Sequence, residues 1–151
     1  MSTSTDLADA IVELLNDEDN TYSMEFEALR RAVPIVKVDD PVLKTIQVSV
    51  FTGVRSADRR TRGGFLSVCK PVIAIQKKLD SHDEAGQLAE SDSLQGLVEE
   101  IETLLQAITE PLTGLSFIGF DESASERDSY SVELLRSQGV FAAVIGLEFH
   151  D

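Results

Sequence analysis

Two histidines and one cysteine could supply the base and the nucleophile of a catalytic site: His82, His150 and Cys69. Nucleophilic catalysis needs a thiol or hydroxyl beside a base, with donors that hold an oxyanion. His82 lies in an acidic stretch and His150 precedes the last residue, positions typical of solvated histidines. Cys69 lies in an apolar segment where only Lys70 beside it would lower its pKa, so we expect a packed thiol. The sequence predicts no catalytic residue and no enzymatic activity.

Oxygen and nitrogen ligands for a metal are closest together in the segment Ser81–Glu84. Its spacing matches no zinc site, and it lacks the glycine-pivoted twelve-residue pattern of a calcium loop. Gly63 and Gly64 belong to no nucleotide-binding pattern. The glutamates of residues 99–102 fit the solvent side of an amphipathic helix. We therefore predict neither a metal nor a cofactor.

Four arginines lie close together in the segment Gly53–Gly64, namely Arg55, Arg59, Arg60 and Arg62. Guanidinium groups bind carboxylates through paired hydrogen bonds, so these four could contact acidic groups on a partner or on a sister subunit. A solvated, mobile hairpin tip explains the same cluster equally well. Contact with DNA ranks below contact with protein, because no aromatic residue among the arginines could stack on bases.

The overall charge argues against broad binding to nucleic acid. The 151 residues carry a formal net charge of −14, and phosphate binding depends on lysines and arginines. A 42% share of hydrophobic residues allows one ordinary domain with its own core. The single cysteine excludes an internal disulfide. Because no apolar run approaches the roughly 18 residues of a membrane span, and no signal peptide is visible, we expect no membrane contact and a cytoplasmic origin.

The first half of the chain predicts a helix followed by strands. Apolar residues recur at helical spacing over residues 7–15, after Thr5 and Asp6, which suit a helix start. Alternating residues then indicate a strand at 22–29, an edge strand at 32–38 and a stronger strand at 45–52. A second long run at 66–79, interrupted by Pro71, completes a hairpin whose connection, residues 53–64, reads as a long mobile loop.

The second half predicts a long helix and two strands. An acidic linker at 80–92 precedes the helix, whose apolar stripe runs from Leu94 to Ile108 with Ser91 or Ser93 as its cap and Pro111 as its stop. Strands follow at 115–120 and 140–149, separated by a polar loop at 121–129 and a short helix at 131–136. The chain therefore reads as one α+β domain, residues 1–151, with a mostly antiparallel sheet of about four to five strands packed against two main helices.

This order of segments resembles the tail terminator proteins, also called tail completion or minor tail proteins, of long-tailed bacteriophages. The resemblance spans nearly the whole chain and rests on six segments, residues 7–15, 26–34, 39–50, 73–79, 97–101 and 134–141. It carries no catalytic fingerprint and assigns no catalytic residue.

The resemblance implies a virion protein of the head-tail junction, assembled in the host cytoplasm. Its expected partners are sister copies in a hexameric ring, the tail tube protein beneath and a head-neck connector protein above. The ring would stop tube polymerisation, and DNA would pass its acidic lumen without specific binding, because electrostatic affinity for phosphate would be absent. Two alternatives stay open: another connector or neck protein, and a protein that contacts DNA through Arg55–Arg62.

Overall fold

The computed structural model describes residues 3–32, 41–61, 64–121 and 139–151. In these ranges the chain forms two α-helices, one short 3-10 helix and five strands. In chain order they are α1 (Thr3–Leu15), β1 (Ala28–Arg30), the 3-10 helix (Pro41–Lys44), β2 (Gln47–Thr61), β3 (Gly64–Lys78), α2 (Glu84–Gln106), β4 (Ser116–Phe120) and β5 (Val140–His150).

The five strands form one sheet in the order β1-β2-β3-β5-β4. β1 runs parallel to β2, and every other neighbouring pair is antiparallel. β5 lies between β3 and β4, and its residues are buried along most of its length, as its apolar density predicted. The α+β prediction, with a mostly antiparallel sheet, a long hairpin and two helices, is confirmed.

One face of the sheet, the helix face, carries the main core. The apolar stripes of both helices pack there on alternate residues of β2, β3 and β5, which point the same way because strand side chains alternate. Fully buried members include Leu7 and Ile11 of α1, Leu97 and Ile101 of α2, and Ile73 of the sheet. Burying each of these side chains contributes about 1.5–3 kcal/mol relative to exposing it.

The opposite face, the second face, is also buried. Leu43 of the 3-10 helix packs on Ala74, Val140 and Ala142, with Phe51 and Val144 at the margin. Leu43, Ala74, Val140 and Ala142 have no exposed surface, so the 3-10 helix covers this part of the sheet. Strands covered on both sides read as nearly continuous apolar runs, which is the pattern of residues 140–147.

Two sequence predictions about connections are wrong. Residues 53–61 continue β2 and Gly64 begins β3, so the predicted mobile loop at 53–64 is mostly paired strand. The predicted acidic linker at 80–92 is helical from Glu84, because its glutamate, alanine and leucine residues favour a helix even without a buried stripe. Ser91 and Ser93 are therefore interior helix residues and not caps.

A third prediction holds only in part. The strand predicted at 22–29 shrinks to Ala28–Arg30, and residues 16–27 form an irregular loop along the helices. Asn16 explains the late start: its side chain accepts a hydrogen bond from the N–H of Ala28 and donates one to the Ala28 carbonyl, at 2.8 and 2.9 Å. The predicted edge strand at 32–38, the polar loop at 121–129 and the short helix at 131–136 fall, wholly or nearly so, outside the described residues.

Candidate functional site

The hairpin of β2 and β3 is longer than the sheet that supports it. Pairing between the two strands runs from Gln47 with Gln76 to Thr61 with Gly64, whereas β5 reaches β3 only as far as the pair His150 with Val68. We call residues 54–61 and 64–70 the arm. Its outer part, from residue 57 onward, extends about 16 Å past the end of β5 as a two-stranded ribbon.

A β-bulge marks the point where the arm leaves the sheet. Phe51 pairs with Val72 but Val54 pairs with Lys70, so β2 holds one extra residue opposite Pro71. Pro71 has no N–H to donate, and the bulge is where a ladder tolerates that loss. Gly53 takes a left-handed φ of 63°, and a Cβ there would overlap the carbonyl oxygen of Lys70. Gly53 and Pro71, which the sequence presents as two separate interruptions, meet in one bend.

Arg55 lies at the base of the arm, directly opposite Cys69. The arginine is exposed, whereas the cysteine is fully buried, which confirms the predicted packed thiol. Burial raises the pKa of the Cys69 thiol, and the charge and hydrogen bond of Arg55 offset part of that rise. Lys70, the residue that the sequence suggested as the influence on this thiol, instead forms an ion pair with Glu148 at 3.5 Å.

The end of β5 is tied to the same base. Glu148 contacts both Lys70 and, at 3.1 Å, Nε2 of His150. Asp151 accepts a hydrogen bond from the Ser67 N–H through its side chain and donates its own N–H to the Ser67 carbonyl. His150 is half-buried and hydrogen-bonded, so the prediction of a merely solvated residue is wrong for it, while His82 is exposed as predicted.

The structure brings three of the four predicted arginines onto the arm. Arg55, Arg59 and Arg60 all belong to β2, and Arg59 pairs with Phe65 across the ribbon. Arg62 lies outside the described residues. The cluster is therefore carried on a paired ribbon, in which Arg55 and Arg59 have direct partners and Arg60 lies at a second irregularity of the ladder, between Arg59 and Thr61.

The two helices have the opposite electrostatic character. α1 carries three acidic residues and α2 carries six, and neither helix contains a lysine or an arginine. Since their apolar stripes face the sheet, most of these acids lie on the outer surface of the helical layer. The sequence predicted a solvated acidic face, but Glu100 departs from it, because its carboxylate accepts hydrogen bonds from the N–H and Oγ of Ser23.

That bond lies beside two depressions that share Asn20, Thr21 and Tyr22, one formed by residues 15–27 alone and one between this loop and α2, which together we call the acidic groove. Their volumes are about 630 Å³ and about 450 Å³. The lining combines apolar and aromatic side chains with carboxylates: Leu15, Tyr22, Met24, Phe26, Leu104, Asp17, Glu25, Glu27, Glu99 and Glu100. An open, acidic and partly aromatic depression suits a cationic ligand.

Tyr22 is the centre of the groove. It lines both depressions, its ring centroid lies 4.7 Å from that of Phe26, and its hydroxyl donates a hydrogen bond to the Leu15 carbonyl at 3.0 Å. Burial raises the pKa of the Tyr22 phenol, and the nearby Asp17 and Glu100 carboxylates raise it further, while a hydrogen bond with Asn20 opposes them.

The segment Ser81–Glu84 has a local role at the start of α2. Asp83 is the N-cap residue, and a hydrogen bond from Ser81 lowers the pKa of its carboxyl, with the Gly86 N–H adding to the effect. Glu90 accepts hydrogen bonds from the N–H groups of Asp80 and Ser81. No group of three or more His, Cys, Asp or Glu in the described ranges is placed to hold a metal ion.

No protein-family model matches this chain, and no curated protein sequence matches it. Among the described helices, none is long and apolar enough to cross a membrane.

Sequence reasoning found the arm's arginines but missed the acidic groove. The groove depends on residues 16–27 folding back along α2, and the alternation of Tyr22, Met24 and Phe26 indicated a strand instead. The signal that could have revealed it is the run of asparagine and aspartate at 16–20, which favours turns and loops over strands.

Proposed function

We propose that this protein is a structural subunit that assembles into a ring at the top of a bacteriophage tail tube, ends tube polymerisation and joins the tail to the head-neck proteins. No step of the function requires bond-making chemistry. The proposal combines the family resemblance with one structural observation, the arm that extends past the sheet.

The arm supports this function because a two-stranded ribbon gains little stability alone in water. β2 and β3 are fifteen residues each, well above the usual strand length of roughly five to six residues. Extra strand length that no other strand of the described residues flanks is better explained by a contact with another chain than by folding of this one.

The acidic helical layer supports the part of the proposal that concerns DNA. With no basic residue on either helix, a ring lined by α1 and α2 would repel phosphate and let the genome pass without adhesion. A predominantly basic lumen in the assembled ring would contradict this orientation.

The decisive experiment is a null mutation of the gene in a phage that encodes this chain. We expect tail tubes of uncontrolled length that do not join heads, with both defects reversed by expression of the protein in trans. Negative-stain electron microscopy of purified protein and of virions should show a ring at the upper end of the tube. Absence of the protein from virions would end the proposal.

A DNA-contacting protein is the second candidate, favoured by the three arginines on the described arm. It predicts a salt-sensitive affinity for duplex DNA that is abolished when Arg55, Arg59 and Arg60 are replaced by alanine. If the intact protein shows no binding at low salt, this candidate is removed and the ring proposal is unaffected.

A further inference from the structure

We infer that the acidic groove is the receptor for the arm of a second copy of this chain. The inference rests on the proposed ring and adds to it the two surfaces that meet: arginines of one copy, and carboxylates and aromatic rings of the next.

The chemistry of the groove fits an arginine-bearing ribbon. A guanidinium group stacks on aromatic rings and forms paired hydrogen bonds with carboxylates, and the groove offers both partners side by side. Tyr22 and Phe26 supply the rings, and the exposed carboxylates of Glu25, Glu27 and Glu99 stand around them. The two depressions are open to solvent and meet at Asn20, Thr21 and Tyr22, so they offer room for more than one side chain of the arm.

The arm supplies the basic counterpart of this groove. Arg55, Arg59 and Arg60 follow one another within six residues of β2, on a ribbon that projects from the sheet. Outside the arm, Arg30 is held by Asp9 at 3.4 Å and Lys77 by Asp80 at 3.1 Å.

The arm of the same copy leads away from the groove. The loop that builds the groove enters the sheet at Ala28, which pairs with Val48 near the start of β2. Arg55 lies seven residues further along the same strand, a distance of about 23 Å, and the arm continues outward from there. The carboxylates that the arm meets therefore belong to another molecule.

The two surfaces lie on different parts of each copy, so the contact is head-to-tail. A contact of this type forms a closed ring when its rotation closes and an open filament when it does not. Each copy contributes one arm and one groove, and every arm in a closed ring is occupied.

A charge-exchange experiment tests the inference directly. One variant carries Arg59→Glu and Arg60→Glu, and the other carries Glu25→Arg and Glu99→Arg. Each variant alone should lose assembly, with the dissociation constant raised by about 100-fold, because like charges then meet at the contact. An equimolar mixture should assemble again, since each reversed surface finds its complement. Sedimentation velocity measures all three samples against the native protein.

Matched controls make the same charge changes elsewhere on the surface. The control for the arm variant is Lys44→Glu with Lys78→Glu, which changes the net charge by the same amount. The control for the groove variant is Glu13→Arg with Asp92→Arg. All four residues are exposed and lie outside both surfaces. These controls should assemble as the native protein does. If they lose assembly to the same extent, net charge and not this contact governs association, and the inference is wrong.

Disulfide trapping gives a second readout that weak association or poor folding of the charge variants cannot obscure. In a Cys69→Ala background, Arg60→Cys and Thr103→Cys are made in separate chains and mixed under oxidising conditions. We expect the mixed dimer in excess over either homodimer. Random proportions of the three dimers would overturn the inference, while a ring that persists without this contact would leave the proposed function standing. Trapped mixed dimers of a protein that forms no ring would support the inference and contradict the proposed function.

Discussion

The inner and outer halves of the β2–β3 hairpin contrast sharply, although the same two strands form both. Before the bulge at Gly53, the hairpin is flanked by β1 and β5 and covered on both faces, so that Val50, Ile73 and Ala74 have no exposed surface. From residue 57 onward, past the end of β5, the ribbon carries Arg59 and Arg60. The inner half stabilises the domain, and the outer half adds charged residues.

The contrast teaches that strand pairing and stability are separable in this fold. Backbone pairing continues through both halves, while the inner half, with Val68 and Cys69 at the base of the arm, adds burial that offsets the entropy of ordering the chain. Changes to the inner half should therefore alter unfolding, whereas changes to the outer half should alter association. The following predictions test this division in order of expected size.

The largest effect is expected from a cavity in the inner half. Ile73→Ala removes a fully buried side chain between the helices and the sheet, and should lower the free energy of unfolding by about 2–5 kcal/mol. Denaturant titration followed by circular dichroism measures the loss. Leu88→Ala is the control, because its side chain is 63% exposed and its removal should cost less than about 0.5 kcal/mol.

The bulge should be the next most sensitive place. Gly53→Ala forces a side chain into a left-handed conformation, which costs about 1–2 kcal/mol before the overlap with the Lys70 carbonyl is counted. Gly96→Ala, on α2 with open space around it, is the matched control and should be neutral or slightly stabilising. Equal stability of the two variants would show that the bulge does not constrain the arm.

Asn16→Ala removes both hydrogen bonds that hold the loop to Ala28. We expect a loss of about 1–3 kcal/mol, because the N–H and carbonyl of Ala28 lose partly buried partners. Thr21→Ala, on an exposed residue of the same loop, should have little effect. If Asn16→Ala is silent in denaturant titration, the groove is shaped by contacts other than this clamp.

Tyr22 should give a pH dependence confined to alkaline solution. Its folded pKa is raised above the ordinary value of 10.0, so folding favours the neutral phenol. Stability from this group is complete below that value and is lost as pH rises through the folded pKa. In a Tyr130→Phe variant, the remaining tyrosinate absorbance should rise with a midpoint above 10 in the native protein and near 10 in denaturant. Coincident midpoints would contradict a buried phenol.

The smallest effect on stability is expected from the outer half. Replacing residues 58–66 with Asn-Gly closes the ribbon at the pair Ala57 with Ser67 through a tight turn. The free energy of unfolding should change by less than about 1 kcal/mol, while assembly is abolished. A loss comparable to that of Ile73→Ala would mean that the two halves are one structural unit.

Much of the fold could be predicted because periodicity reports burial directly. The stripe from Leu94 to Leu105 and the dense run at 140–149 both lie where their patterns placed them. The prediction of a loop at 53–64 failed because it read each residue's local preference separately. Gly53 and Pro71 each indicate a break when considered alone, but across a hairpin they compensate each other in one bulge, and only the register reveals that.

Of the two surfaces in the proposed contact, the sequence predicted the arginine cluster but not the acidic groove. A cluster of arginines is visible in sequence, whereas the acidic groove joins residues far apart in the chain, as the contact of Ser23 with Glu100 illustrates. Nothing in the spacing of either residue indicates the other. Single-sequence patterns show which residues are charged, and tertiary contacts decide which charges share a surface.

The extra residue at the bulge also places Phe51 and Arg55 on opposite sides of the strand. Phe51 and Arg55 are four positions apart, and in an uninterrupted strand they would lie on the same side. Phe51 packs on the second face, yet Arg55 pairs with Cys69, whose side chain belongs to the helix face. Deleting one residue at 52–53 would remove the bulge and its bend but would keep Arg55 opposite Cys69, because β3 runs without interruption through this region. The extra residue is thus what a bent strand needs to reach the register that its straight neighbour dictates.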